Sequence, residues 1–307
     1  MTFEDDLLAL EARVLKDAAG DFLKAVDELR SMLASGAPGI GAKLARLAIP
    51  QIEAAAKAGV LEAYQMGGDW AIGSAQILPD VTDNAVGDAK MRLDSGPHDT
   101  LVAPLTGLDA RVTSAKTSAL GLLAVGAKAE EALSPVFAAA NTVQARIETQ
   151  INASSNAASL TVGEAVKSPM VWEAERDACV YCLALAGHVV EQAGDFFPAA
   201  DLYATPPASQ PIVSQPPLHA HCRCRLAVLG DASYAEALQR EAQRSILRGF
   251  ALPSESNAAR VRAASRLLDR DPIAPKSVKE YARRAVKAGK FPFGRDVPAG
   301  GPTLTVK

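Results

Sequence analysis

Aromatic residues are scarce in this chain: eight Phe, five Tyr and two Trp, 5% of 307 residues. With alanine abundant, that scarcity argues against a large sandwich core and for long, thinly packed helices. No apolar run reaches the roughly 18 residues of a membrane span; the nearest, 119–127, is short and broken by glycine. The opening MTFEDDLLALEARV is acidic and lacks the basic start and apolar core of a secretory signal. The expectation is a soluble protein made in a reducing cytoplasm. Familiar catalytic signatures are missing too. The segment GAPGIGAKL resembles a phosphate loop only in its glycines, because Lys43 is followed by Leu44 and not by the hydroxyl residue that would meet Mg²⁺. Neither His98 nor His188 has the Glu two residues on that a zinc deaminase uses to move protons. The H-E-x-x-H of zinc proteases is absent. A Cys nucleophile with a His base is arithmetically possible, for instance Cys182 with His188, but both would have to be spared from any metal cluster. The expectation is a protein that is not an enzyme.

Cysteine is rare as well, and its placement is informative. There are only four, Cys179, Cys182, Cys222 and Cys224, and three of the four histidines, His188, His219 and His221, fall in the same stretch. They form C-x-x-C followed by H-x-x-C-x-C. A C-x-x-C turn offers two thiolates to one ion, and Zn²⁺ takes four S or N ligands tetrahedrally. The second pair would come from His219, Cys222 and Cys224, so the set is Cys₄ or Cys₃His, and spacing does not choose between them. The 36 residues between Cys182 and His219 exceed the usual zinc-ribbon spacing, with a Pro-rich loop available to absorb them. Two other fates compete. Disulfides need an oxidising compartment. Reduced, unligated thiols are the remaining alternative, and a redox C-x-x-C would normally open a helix in a βαβ unit, of which the sequence gives no sign.

The same residues carry a resemblance. Trp172, Asp177, Cys179, Cys182 and Gly187, then Pro216, Pro217, His219, Cys222, Arg223, Cys224 and Leu226, follow the order seen in the phage Mu F-like minor head proteins, the phage head-morphogenesis family. The combined pattern is specific, although it covers only about a fifth of the chain, and Val180-Tyr181 stands where the family often has a proline. The resemblance implies a low-copy capsid component made in the infected cell. It would lie inside the head near the portal, with the motif domain following a helical N-terminal region. Its partners would be the portal protein and other head proteins. Some relatives carry a toxin or transferase domain after the motif, and here the remainder is too short and too helical for one.

Periodicity supplies the architecture. Phe3, Leu7, Leu10, Val14, Ala18, Phe22, Val26, Leu29 and Leu33 recur every three or four residues and predict one amphipathic helix over 3–34. A second helix is expected from about Ile40 to Tyr64, kinked or divided at Pro50 and ended by Gly67-Gly68. Residues 70–93 read as short helices and turns. Helix returns over 101–156, with Ser134-Pro135 as an N-cap and first-position proline, a stripe from Val136 through Ile151, and the small polar run 152–159 as its end. Strands are expected at 169–172, 188–190 and 225–229. Three further helices, at 232–249, about 256–270 and 276–289, are studded with Arg and Lys. The predicted organisation is mainly α with a small α+β domain: a helical region over 1–159, a metal-knuckle domain over 160–229 and a basic helical tail over 230–307.

Charge is split along the chain. Residues 1–221 hold 15 Lys+Arg against 27 Asp+Glu, and residues 222–307 hold 17 against 8. A basic tail on an acidic body meets a polyanion, packaged DNA in the head reading, or an acidic partner surface, or else folds back on the body. Arg223, between two candidate ligands, is expected to brace the fold by pairing, for instance with Asp177. The helical stripes suit a core, or assembly with copies of the same chain or other head proteins. The function expected is structural, in head assembly or in genome packaging and delivery. The alternative is a zinc-containing nucleic-acid-binding protein acting through the tail. A nuclease with a metal-stapled finger would need an Asp-His pair that the sequence does not offer.

Overall fold

A computed structural model describes residues 3–49, 51–174, 182, 185–190, 196, 214–218, 222, 224–247, 261, 265, 268, 283–284 and 286–289. The chain is mainly helical with one small three-stranded antiparallel sheet. The described elements are, in order, α1 (Phe3–Ser35), α2 (Ile40–Ala45), α3 (Ile52–Gln76), α4 (Asp83–Asp94), α5 (His98–Val102), a 3₁₀ turn (Ala103–Leu105), α6 (Leu108–Ala124), α7 (Ala129–Val166), β1 (Met170–Glu173), β2 (Val189–Val190), β3 (Arg225–Val228) and α8 (Ala232–Leu247). Further helical residues occur at Val261, Ser265 and Leu268, and at Arg283, Arg284 and Val286–Ala288. Contacts divide the chain into two units. One comprises Met1–Trp70 and Asp94–Ala158, and the other Ala71–Leu93, Ser159–Leu218 and Cys222–Lys307.

The first unit is a helical assembly, and its core is the stripe that periodicity predicts. Leu7, Leu10, Val14, Ala18, Phe22, Val26 and Leu29 of α1 are all buried, as are Val136, Ala140, Val143, Ile147 and Ile151 of α7. Close packing between helices depends on glycine. A Cβ on Gly59 of α3 would lie 2.3 Å from the Val14 side chain, and one on Gly67 would lie 2.4 Å from the Ser155 carbonyl oxygen. Gly67 therefore lets α3 approach α7. This corrects the expectation that Gly67-Gly68 ends the helix, which runs on to Gln76. The break expected at Pro50 is present, with α2 ending at Ala45 and α3 starting at Ile52.

A second correction concerns α7. It starts at Ala129, so Pro135 lies inside the helix and not at its first position. The polar run 152–159 does not end it either. Asn152, Ser154, Ser155 and Asn156 are buried inside the helix. Their polar atoms find partners there: Asn156 Nδ2 donates to the Asn152 carbonyl and Oδ1 at 2.9 Å, and Ser154 Oγ donates to the Val60 carbonyl at 2.8 Å. Buried polar groups with partners cost little, and small side chains permit close helix packing. Helix ends in this unit are also tied reciprocally. Asp109 Oδ1 of α6 accepts from the Ile52 and Glu53 amides at 2.8 and 3.3 Å, while Glu53 Oε1 accepts from the Gly107 amide at 2.6 Å.

In the second unit the strand order is β2-β1-β3. β1 pairs with β2 (Met170↔Val190, Val171↔Val189) and with β3 (Met170↔Val228, Val171↔Ala227, Trp172↔Leu226, Glu173↔Arg225). All four β1 residues are buried, which is why β1 reads as a continuous apolar run capped by one carboxylate. Trp172 packs edge-on to Phe196, with ring centroids 5.4 Å apart. The end of α7 lies on this strand closely enough that a Cβ on Gly163 would meet Met170 Sδ at 2.1 Å.

Candidate metal centre

Each half of the cysteine pattern is delivered by the sheet. Cys182 and Leu185 are helical, and Ala186-Gly187 form a turn. Gly187 has φ 75, a left-handed conformation that glycine adopts without cost. Its amide donates to the Trp172 carbonyl at 2.8 Å, and the Trp172 amide donates to the His188 carbonyl at 3.0 Å, so the turn is an extension of the β1–β2 ladder. Cys222 and Cys224 run directly into β3, on the other side of β1. Two segments forty residues apart in sequence are thereby fixed against one central strand.

The Sγ atoms of Cys182, Cys222 and Cys224 all lie within 4.8 Å of one another. The three residues are only 1–3% exposed. Cys182 and Cys222 place their sulfurs 3.7 Å apart, far beyond the roughly 2.05 Å of a disulfide. Tetrahedral coordination with metal–sulfur bonds of about 2.3 Å spaces the sulfurs about 3.8 Å apart. The Cys182–Cys222 separation matches that spacing, and the three thiols together could hold a metal ion. Ionised thiols this deeply buried need a compensating positive charge, which an ion supplies. His188 is not part of the group. It is half-buried, and burial pulls its pKa below the ordinary histidine value, favouring the neutral ring. Cys179, His219 and His221, and with them the choice between Cys₄ and Cys₃His, lie outside the described residues. So do Arg223 and Asp177, for which an ion pair was expected.

Among the described residues beside the cluster, Arg225 forms an ion pair. Its Nη2 lies 3.2 Å from Glu173 Oε2, across the β1–β3 register, and both side chains are largely buried. The Tyr234 hydroxyl of α8 donates to the other oxygen of Glu173. Burial first, and then the Glu173 charge, push the Tyr234 phenol above its ordinary value. This trio is hardly legible in the sequence. The only signal for it was an acidic residue closing an apolar strand. α8 is held at a second point as well: Gln239 Nε2 donates to the Gly187 carbonyl at 3.1 Å. The Ala235 carbonyl occupies the space beside Gly187, 2.3 Å from where a Cβ would stand. Asp231 Oδ1 accepts from the Ser233 amide at 2.8 Å and so caps α8, with its pKa lowered by that bond.

Comparison with known protein families, curated proteins and solved structures gives no match for this chain. Among the described residues no helix is long and apolar enough to cross a membrane.

Proposed function

We propose that this chain is a minor head protein of a tailed phage, of the Mu F-like head-morphogenesis kind. It is a structural component inside the capsid near the portal, acting in head assembly or in genome packaging and delivery. The observation that carries the reading is the combined pattern running from Trp172 through Cys179, Cys182 and Gly187 to Pro216, Pro217, His219, Cys222, Arg223, Cys224 and Leu226. It is supported by the grouping of three of those cysteines in a buried cluster. In this reading the ion is Zn²⁺, tetrahedral, with Cys182, Cys222 and Cys224 as three ligands and Cys179 or His219 as the fourth. A site closed by four protein ligands has no open position for substrate, so its role is to hold the small sheet together.

Mass spectrometry of purified particles tests the assignment. The protein should be present at low copy and should pull down the portal protein. Absence from both mature and immature heads would overturn the reading. The charge split favours a second reading, a zinc-containing protein that binds nucleic acid through its basic C-terminal residues. Salt-sensitive DNA binding without portal binding would select it.

A further inference from the structure

We infer that the cleft between α6 and α7 in the first unit is a binding site for an oxyanion of the phosphate class. The inference is independent of the cysteine cluster. The cleft has a volume of about 680 Å³, and its polar lining is Thr106, Arg111, Ser114, Ser118 and Arg146. Every one of these side chains can donate a hydrogen bond, and no carboxylate is among the lining residues. That is unusual in this part of the chain, because residues 1–221 hold 27 acidic residues against 15 basic ones.

The helical geometry explains the convergence. Arg111, Ser114 and Ser118 are three and four residues apart on α6 and so share one face. Between the polar groups the cleft is lined by Ala115, Ala138 and Ala139, whose short side chains leave it open. Among the described residues neither arginine has a carboxylate partner. Arg111 forms no ion pair with a described residue. Arg146 Nη1 donates to the Pro104 carbonyl at 3.2 Å, which orients the guanidinium without cancelling its charge and leaves other N–H groups to donate. Asp109, two residues before Arg111, and Glu53 are bonded to backbone amides at the starts of α3 and α6, and Glu148, two residues after Arg146, accepts from Gln144 Nε2 at 2.7 Å. Two guanidinium groups match the charge of a phosphate dianion and offer it paired donors, while the hydroxyls supply further donors. A single carboxylate would leave one of the two charges uncompensated.

The test uses the full chain and inorganic phosphate, followed by calorimetry and by thermal unfolding, with sodium acetate at matched ionic strength beside it. Phosphate should bind and raise the melting temperature, and acetate should not. Arg111→Gln changes an exposed residue that forms no ion pair with a described residue, and it should weaken phosphate binding about tenfold or more, the scale of one charge-assisted hydrogen-bonding group. Arg146→Gln should do the same, and Arg146→Lys, which keeps the charge but loses the fork, should fall between. A short DNA duplex then separates the sources: competition with phosphate assigns the site to nucleic-acid phosphodiesters, and no competition assigns it to free phosphate or a phosphomonoester. Equal effects of phosphate and acetate would overturn the proposal. So would phosphate binding that survives Arg111→Gln and Arg146→Gln undiminished, since the phosphate would then be held elsewhere, for instance by arginines near the C-terminus.

Discussion

Gly187 meets two demands at once. Its φ of 75 puts it where a side chain strains the backbone, and the Ala235 carbonyl lies 2.3 Å from the position a Cβ would take. Neither demand can be relieved by a rotamer change, because the obstacle is the backbone of α8. Gly187→Ala should therefore destabilise the second unit by about 2 kcal/mol or more, combining left-handed strain with overpacking. Thermal unfolding monitored by Trp172 fluorescence checks this, and a variant that melts like the parent would remove α8 from the account of why glycine is needed. Sequence alone marks Gly187 as part of a pattern. It does not show the reason, which is a helix that arrives from 45 residues later. Tyr234 was still less legible, because its partner Glu173 is set by strand register. Its pKa is raised on folding, so the neutral phenol is the form that the native state favours. The stability this contributes is complete below the ordinary tyrosine value of 10.0 and is lost as pH rises from there toward the folded value. Denaturant unfolding between pH 9 and 11 should show stability falling more steeply in the parent than in Tyr234→Phe; parallel curves would mean that the Glu173 contact does not couple to folding.

At the scale of elements, helices with a clean period of three and four were legible to within a residue or two, as α1 shows. The errors fell where small residues serve packing. Gly67 and the run around Ser155 look like helix breakers because glycine and serine favour turns when nothing is packed on them. Here they are where α3 and α7 meet. Gly67→Ala distinguishes the two roles. On propensity alone it should stabilise the helix by about 1 kcal/mol. With the Ser155 carbonyl 2.4 Å from the new Cβ, it should instead destabilise the first unit by about 1–3 kcal/mol, because backbone has to move. A raised melting temperature would rule out the close approach. α8 raises a different question. It is held by Tyr234 on Glu173 and by Gln239 and Ala235 on Gly187. Arg225 adjoins Cys224, and Gly187 lies five residues after Cys182, so each anchor is close in the chain to a thiol of the cluster. Stripping metal from the full chain with a chelator should therefore expose the α8 amides to hydrogen exchange together with β3, while α1 stays protected. Exchange of α8 unchanged after verified metal loss would show that the sheet holds its helix without the ion. Three of the five residues expected as ligands are seen together, and the approach of Cys182 to Cys222 and Cys224 was readable because two close thiol pairs are rarely needed for packing. The depth of their burial was not readable, since it depends on β1 lying between them.

For the molecule as a whole, the informative quantity is where the positive charge sits. Residues 232–247, the span of α8, hold two arginines and two glutamates, and Arg240 is bonded to Glu236 one turn away. α8 is thus electrically neutral, although Arg240 and Arg244 give it the look of a basic helix. Residues 248–307 hold 13 Lys+Arg against 5 Asp+Glu, and Arg283 and Arg284 among them are helical and exposed. The excess therefore begins after Leu247. Removing everything beyond Leu229 would take away α8 and its anchors along with the charge, so a lost activity could reflect a damaged sheet. A chain ending at Leu247 keeps Tyr234, Ala235 and Gln239 in place while removing the basic excess together with the helical residues beyond it. It should retain the parent's melting temperature and its metal content. It should also lose binding to DNA, whose affinity in the full chain should fall steeply with salt because each neutralised phosphate releases a counterion. If the shortened protein binds DNA, enters heads and meets the portal as the full chain does, the basic residues make no external contact and serve to neutralise the acidic body.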